Sequence, residues 1–455
     1  MHDLQSFLVQ YMSDYPEDVV RVTEALPRDY QVTALAMATE QMAEPPVIVC
    51  DAVEAAGMPV VTNLFASRVR IARILGTTVE ALHDHWAARS KHLIPPVEVS
   101  EGVCQEVCRL GDDADATQLP FMVHFEQDAG RYLTSGVVAA RDPDTGAVNL
   151  SFARMQLKGP RRFGISVHSR GHLWDYQRRA EARGRPLDVA VVVGMHPIYM
   201  IAAASRMPMG VDEQEVAGAL LGHPLEVVRG VTVDVPVPAA AEIVLEGRIE
   251  PNVREPEGPF GEYTGYATAR STNNVFTLTA ITHRRQPWFL DVCPGHSRDH
   301  LLLGRIHKEA EVLRKLREVL PNVKAIHYPV SGTHYHCYIS IAKQRPGDAR
   351  HCALLALGLD AYIKLVVVVD DDVDVHNEAE VMWALATRVQ PAEDVFIVHG
   401  VTCNVLDPSS YDGVSSKMGI DATRPAGWDA QRTSLPREVV LRAHDLLRSH
   451  RNRLQ

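Results

Sequence analysis

A stretch of apolar residues long enough to cross a bilayer is missing from this sequence. Its apolar runs, such as Leu187 to Val193 and Leu365 to Val369, fall far short of the ~20 residues that a spanning helix needs. No membrane partner is expected. Positive charge is also scarce: 46 Lys and Arg stand against 57 Asp and Glu, a formal net charge of −11. No Lys/Arg stripe offsets that balance, so a nucleic-acid backbone would be repelled and small-molecule chemistry is favoured. The opening residues Met1-His2-Asp3-Leu4 lack the basic region and apolar stretch of a signal peptide, which makes the cytoplasm the expected location.

Paired cysteines are lacking too. The seven cysteines are an odd number spread over 455 residues, so disulfides are not expected. Cys104 and Cys108 are four apart and could share a helical face, but no second Cys/His pair at zinc spacing accompanies them. The general cofactor signatures are absent as well. There is no G-x-G-x-x-G opening a helix, no G-x-x-x-x-G-K-[ST] and no H-E-x-x-H, so dinucleotide, P-loop and zincin readings lose support. Repeats and low-complexity segments do not occur.

What is present is an ordinary globular composition, 46% hydrophobic and 23% charged, in a chain long enough for two or three domains. Leu4, Phe7, Leu8, Tyr11 and Met12 follow helical spacing. Pro95 and Pro96 disfavour both helix and central strand, which places a boundary near residue 98. Residues 99–300 are strand-rich: Leu187 to Val193, Glu242 to Leu245 and Val275 to Thr282 read as strands, and Leu173 to Arg183 and Asp212 to Leu221 as helices. Beyond 300 the pattern is α/β, with Leu313, Leu316 and Leu320 on one helical face, a strand at Tyr338 to Ala342, a helix at Ala349 to Leu357 and the apolar strand Leu365 to Val369. The expected organisation is thus an α/β region at 1–98, a central domain at 99–300 and a second α/β region at 301–455.

Two clusters carry candidate chemistry. Glu257 and Glu262 stand five apart in Glu257-Gly258-Pro259-Phe260-Gly261-Glu262-Tyr263, where Pro and Gly favour a fixed irregular backbone rather than a helix face. They read either as an acid/base pair or as an acidic surface turn. Asn149-Leu150-Ser151-Phe152-Ala153-Arg154 supplies amide, hydroxyl and guanidinium, which suit an anionic cofactor and a carboxylate partner. Arg154 could equally tie two strands by a salt bridge. The run Asp370-Asp371-Asp372-Val373-Asp374 lacks calcium-loop spacing and reads first as caps and inter-element hydrogen bonds.

With these segments in view the sequence resembles the UbiD family of decarboxylases, which use prenylated flavin mononucleotide. Its carriers are Asn149 to Arg154, Val216 to Gly222, Val237 to Gly247, Glu257 to Glu262, Val369 to Asp374 and Ser416 to Thr423, in the family's order over nearly the whole chain. The resemblance implies a mixed α/β fold with a central split-β-barrel-like flavin-binding domain between α/β regions, and a homodimer or homohexamer built through the C-terminal part. It also implies that Arg154, Glu257 and Glu262 form the catalytic network. The cofactor phosphate would be bridged by manganese or magnesium on Asn149, His172 and Glu213, with His168 as the alternative to His172. Potassium would sit on Leu150, Ala204, Ser205, Met207 and Glu213. Ser151, Phe152, Ala153, Gly171 and Lys417 complete the implied cofactor contacts, with Lys417 on a Gly-flanked turn near the phosphate. A flavin prenyltransferase would supply the cofactor.

Loss of carbon dioxide from an aromatic or α,β-unsaturated acid leaves a carbanion with nowhere to delocalise, so an electron sink is required. The segment Cys293 to His300 and Arg305 resemble the furan-dicarboxylate branch, where His296 and Arg305 would hold a second carboxylate of a heteroaromatic acid. Arg305 could alternatively cap or salt-bridge its helix. A monocarboxylate decarboxylase, an ordinary flavin oxidoreductase and a non-catalytic flavin-binding protein remain open alternatives.

Overall fold

The computed structural model describes residues 3–54, 57–167 and 171–451. The fold is mixed α/β, with four sheets of four, nine, three and five strands among the described residues. The amphipathic start of the chain forms the helix Leu4–Asp14, which buries Leu4, Leu8 and Tyr11; Asp3 caps it by accepting from Ser6 N at 2.7 Å. The four-stranded sheet runs Val19–Leu26, Val47–Val53, Val60–Thr62 and finally Phe289–Leu290. That last strand brings the chain back from the central region, so the segment from Asp291 onward is laid against the N-terminal sheet.

The nine-stranded sheet is the scaffold of the centre. Its longest hairpin pairs Ile243–Glu257 with Ser271–His283, and the strand Leu187–Val193 lies on the hairpin's other side. Leu187 to Val193 alternates poorly because both faces are covered, and its valines are fully buried. The sheet does not close by hydrogen bonding: Val148–Phe152 ends one side of the strand order, and Met155–Gly159 lies next to the opposite end. Yet only Ala153 and Arg154 separate those two strands. Three peptide steps reach at most ~11 Å, so the sheet must curl until its two sides nearly meet. This gives an open, barrel-like centre with Arg154 at the seam.

The five-stranded C-terminal sheet, in the order Val323–His327, His336–Ile341, Leu365–Asp370, Val414–Ala422, Val395–Thr402, packs the helices Ile306–Val319 and Asp348–Leu359 on a separate core. No helix among the described residues is long and apolar enough to cross a membrane.

Several expectations need correction. The strand expected at Glu242 to Leu245 continues to Glu257, so Glu257 ends a strand and only the stretch after it is irregular. Tertiary pairing of Arg254 to Glu257 with Ser271 to Asn274 overrides the poor strand propensity of that charged, Pro-containing segment. Lys417 is not on a turn; it lies inside Val414–Ala422 opposite Val398. Cys104 sits in a 3-10 turn and Cys108 in the strand Val107–Leu110, so they share no helical face. Asp370 and Asp372 pair with Arg388 at 2.8 Å each, which agrees with inter-element bonding of the acidic run.

Candidate active site

At the seam, Arg154 meets both glutamates. Its Nε and Nη2 donate to Oε1 and Oε2 of Glu257, each at 2.9 Å, and its Nη1 donates to Oε1 of Glu262. The bidentate contact fixes the guanidinium plane, because a fork of parallel N–H donors fits only one carboxylate orientation. Glu257 is fully buried and also accepts from Nδ2 of Asn273 at 2.7 Å. Gly164 on the facing strand leaves the room: a Cβ there would lie 3.3 Å from Cγ of Glu257.

Glu262 is carried by the turn 258–266, where Gly258 and Gly265 both adopt positive φ. The turn is pinned at both ends. Asp128 accepts from Gly261 N at 2.9 Å while also accepting from Phe125 N and His124 N, and Glu262 N donates to Tyr266 O at 3.0 Å. Burial raises the Glu262 carboxyl above its ordinary value; Arg154 opposes that shift and the Glu257 charge adds to it. Glu262 and Arg154 open onto a cavity of about 130 Å3 lined also by Thr134, Phe152, Phe260, Val292, Pro294 and His300. That is the scale of a single aromatic ring. A buried carboxyl that holds its proton above the usual range, beside a fixed cation, can bind an anionic acid and deliver a proton to a neighbouring carbon.

The second cluster also assembles. Oδ1 of Asn149 lies 2.9 Å from Nδ1 of His172, and Nδ2 of Asn149 donates to Ser151 Oγ at 2.8 Å. Gly171 supplies the N-cap position of the helix that begins at His172. Glu213, the first residue of the helix Glu213–Leu221 that Asp212 caps, accepts at 2.8 Å from the backbone N of Leu150, the residue after Asn149. Burial pushes the Glu213 carboxyl up to about 8, and no basic side chain among the described residues is ion-paired with it. An amide oxygen, an imidazole and a buried carboxylate lacking a counter-charge fit a hard divalent cation and, through it, a phosphate. His168 lies outside the described residues. Ala204, Ser205 and Met207 lie between the helix Pro197–Ala203 and the helix Glu213–Leu221, both of which pack on Val148–Phe152. Ser205 Oγ donates to Ala202 O at 2.6 Å.

Not every expected residue joins these clusters. The Lys417 ammonium donates to the carbonyls of Leu357, Asp360 and Ala361 at 3.1–3.4 Å, where it neutralises the end of the helix Asp348–Leu359. It makes no contact with Asn149 or Arg154 among the described residues. His296 places Nε2 2.9 Å from Val330 O, and its Cβ faces Gly265 of the catalytic turn. Arg305 is fully buried and contacts Thr333 O through Nη2; it occupies the N-cap position of the helix Ile306–Val319, where its carbonyl accepts from Glu309 N at 2.8 Å while its side chain makes no capping bond, and it has no ion pair among the described residues. His300 and Thr134 line the cavity although the sequence did not single them out. His300 lay in the segment already of interest, and its place on the cavity wall was the signal that sequence lacks.

Three family models match the chain in order: the 3-octaprenyl-4-hydroxybenzoate carboxy-lyase N-terminal domain at residues 14–90, its Rift-related domain at 96–297 and its C-terminal domain at 301–422. The anhydromevalonate phosphate decarboxylase of Methanothermobacter thermautotrophicus is 36% identical over 370 residues, 81% of this chain and 86% of that protein. The UbiD-class enzyme HmfF from Pelotomaculum thermopropionicum, solved in complex with FMN, superposes with a TM-score of 0.91 at 40% identity, covering 96% of this chain and 98% of that one. An evolved dimeric form of that enzyme, solved with prFMN, gives 0.88 at 38% identity over 96% and 97% of the two chains.

Proposed function

This chain belongs to the UbiD family of carboxy-lyases, and on that premise we propose that it catalyses the reversible non-oxidative decarboxylation of a heteroaromatic diacid, with furan-2,5-dicarboxylate converted to 2-furoate as the leading reaction. The observation that carries this reading is the guanidinium of Arg154, clamped by Glu257 and shared with Glu262 at the wall of a ring-sized cavity.

Prenylated FMN, when bound, supplies the electron sink that an sp² carbanion needs. Asn149, His172 and Glu213 would hold Mn2+ or Mg2+ against its phosphate, and Leu150, Ala204, Ser205, Met207 and Glu213 would hold K+. Lys417 would contact the phosphate only after leaving its three carbonyls. The chain's own residues do the rest. Arg154 receives the carboxylate that is to be lost and orients it, while Glu257 keeps the guanidinium from turning away. The bond from ring carbon to carboxylate breaks, carbon dioxide leaves, and the electron pair left on that carbon takes the proton held by Glu262. Phe152, Phe260 and Val292 keep water from competing for that position. Arg305, with His296 on the same side, receives the carboxylate that stays.

A flavin prenyltransferase would supply the cofactor, and the protein would act in the cytoplasm as a homodimer or homohexamer. A second reading, an acid bearing a phosphate ester, is favoured by the same buried Arg305 and by the name of the archaeal relative. Co-expression with a flavin prenyltransferase, followed by carbon dioxide release assays on furan-2,5-dicarboxylate, a phosphorylated unsaturated acid, pyrrole-2-carboxylate and a hydroxybenzoate, tests both. Turnover of monocarboxylates alone would sink the diacid and phosphate readings and leave a monoacid decarboxylase.

A further inference from the structure

The carboxylate of Asp291 is buried, takes no part in the chemistry proposed above, and has no Lys or Arg ion-paired with it among the described residues. A buried charge of this kind persists only where donors surround it. Here they are hydroxyls and an imidazole. Oδ2 accepts from Thr62 Oγ1 at 3.1 Å, while Oδ1 accepts from Thr134 Oγ1 at 3.0 Å and lies 3.1 Å from Nε2 of His124. The backbone N of Asp291 donates to Val61 O at 2.7 Å, which fixes the residue to the four-stranded sheet.

One of these donors belongs to the cavity. Thr134 lines it together with Arg154 and Glu262, and so does Val292, the residue after Asp291. The pairing of Tyr132 with Gln156 and of Leu133 with Met155, continued by one residue, sets Thr134 across from Arg154. A threonine hydroxyl has one hydrogen, and that of Thr134 is spent on Asp291, so its side chain is held in one rotamer and its hydroxyl offers the cavity no donor. The neighbouring Ser135 grips the same segment, its Oγ donating to Leu290 O at 2.5 Å. His124 reaches the other side of the site. Its Nδ1 has no hydrogen-bond partner among the described residues, which leaves Asp291 as the anchor of the ring. Its backbone N donates at 3.1 Å to Asp128, which accepts from Gly261 N next to Glu262.

We infer that Asp291 is a positioning residue for the decarboxylation. It touches no reacting atom and acts by holding Thr134, at the wall beside Arg154, and through His124 the support of the turn that carries Glu262. The inference rests on the decarboxylation itself and not on which acid is the substrate. A carboxylate that fixes a cavity hydroxyl sets how the ring lies between the guanidinium and the proton donor, and a displacement of about 1 Å at such a point costs up to ~10²-fold in rate.

The test compares the parent with Asp291→Ala, Asp291→Asn, Thr134→Val and the double variant Asp291→Ala/Thr134→Val, all co-expressed with a flavin prenyltransferase. Tm is measured for each, and kcat and KM are measured on the acid that the parent converts fastest among furan-2,5-dicarboxylate, a phosphorylated unsaturated acid, pyrrole-2-carboxylate and a hydroxybenzoate. Asp291→Ala is expected to lower kcat at least ~10-fold with KM little changed. Asp291→Asn, whose Oδ1 can still accept from Thr134 while its amide donates to Thr62, is expected to recover most of that loss. Thr134→Val is expected to lower kcat in the same direction, and the double variant to be no slower than Asp291→Ala, because both changes break one contact. A parent-like kcat in Asp291→Ala with only Tm lowered overturns the inference and leaves the proposed function standing. A rise in KM alone, or losses that add in the double variant, overturn it likewise. If Asp291→Ala does not fold, Thr134→Val decides: a parent-like kcat overturns the inference, and a lowered kcat at the parent's Tm supports it. A parent that converts none of the four acids overturns both.

Discussion

Glu262 and Glu257 share one guanidinium, and the sharing makes their roles unequal. Glu257 takes the bidentate face and is fixed; Glu262 takes the remaining N–H at the cavity wall. Glu262→Gln keeps the shape and removes the proton, so turnover is expected to fall ~10²–10⁴-fold with cofactor content unchanged; parent-like decarboxylation in a single-turnover assay would falsify the assignment. The same substitution has a pH signature. Because the folded carboxyl titrates above its ordinary value, the folded state binds more protons than the unfolded chain just above pH 4.5, and stability contributed by that proton is lost as pH rises. Glu262→Gln is therefore expected to melt at or above the parent at pH 7.5, with the gain vanishing toward pH 4.5; a variant that melts lower at neutral pH would show instead that the Arg154 contact is stabilising. Arg154→Ala leaves Glu257 buried and unpaired, a loss of about 3–5 kcal/mol. It is expected to lose activity, and denaturant titration measures the accompanying destabilisation.

At the scale of elements, the site depends on how two strands and one turn are joined. The turn that bears Glu262 is tied to Asp128 by one backbone donor, Gly261 N, worth ~1.5–3 kcal/mol to a charged acceptor, and Asp128 is itself held in place by the backbone donors of His124 and Phe125. Asp128→Ala is expected to lower kcat more than it raises KM, since it frees the turn without touching the cavity; unchanged kcat would mean that packing of Phe125 against Gly261 and Gly295 already holds the turn. Much of this level was legible in the sequence. Leu187 to Val193 and Leu365 to Val369 announce themselves as buried strands, and the helix expected at Asp212 to Leu221 is found at Glu213–Leu221 with Asp212 as its cap. The glutamate pair and Arg154 were legible as chemistry, though not the seam that joins them, because sheet order across Ala153 and Arg154 is a long-range property. Lys417 was misplaced for a related reason: its Gly neighbour reads as a turn, while pairing with Val366 and Phe396 makes Gly419 part of a strand. Oγ1 of Thr333 and Nδ1 of His334, buried and without a hydrogen-bond partner among the described residues, stayed invisible, since such an atom is recognised only when its possible partners have been placed.

On the scale of the whole molecule, the N-terminal and central regions share two apolar cores, one of which also takes in Leu302, Leu303, Ile306 and Ala310, whereas the C-terminal sheet has two cores of its own. The strand Phe289–Leu290 completes the N-terminal sheet, and the segment that follows brings Val292, Pro294 and His300 to the cavity beside Arg154 and Glu262. Beyond the sheet the last helix, Arg437–Arg451, is largely exposed as far as Leu447: Val439, Leu441 and Leu447 are 51%, 53% and 70% accessible, and Val405 and Tyr411, on the loop between the strands Val395–Thr402 and Val414–Ala422, are 78% and 87% accessible. Isolated apolar residues on a surface need no explanation, but a helix whose Val440, Ala443 and Leu447 share a face beside exposed Leu435 presents a continuous apolar strip. A second copy of the chain would cover it in the proposed homo-oligomer. Removing residues 435–455 is expected to shift the mass seen by light scattering toward that of a single chain, while the Arg154, Glu257 and Glu262 cluster, formed wholly by earlier residues, stays intact. If the shortened protein keeps the parent's assembly mass, the strip is not the contact and the exposed loop at Val405 to Tyr411 becomes the place to cut next.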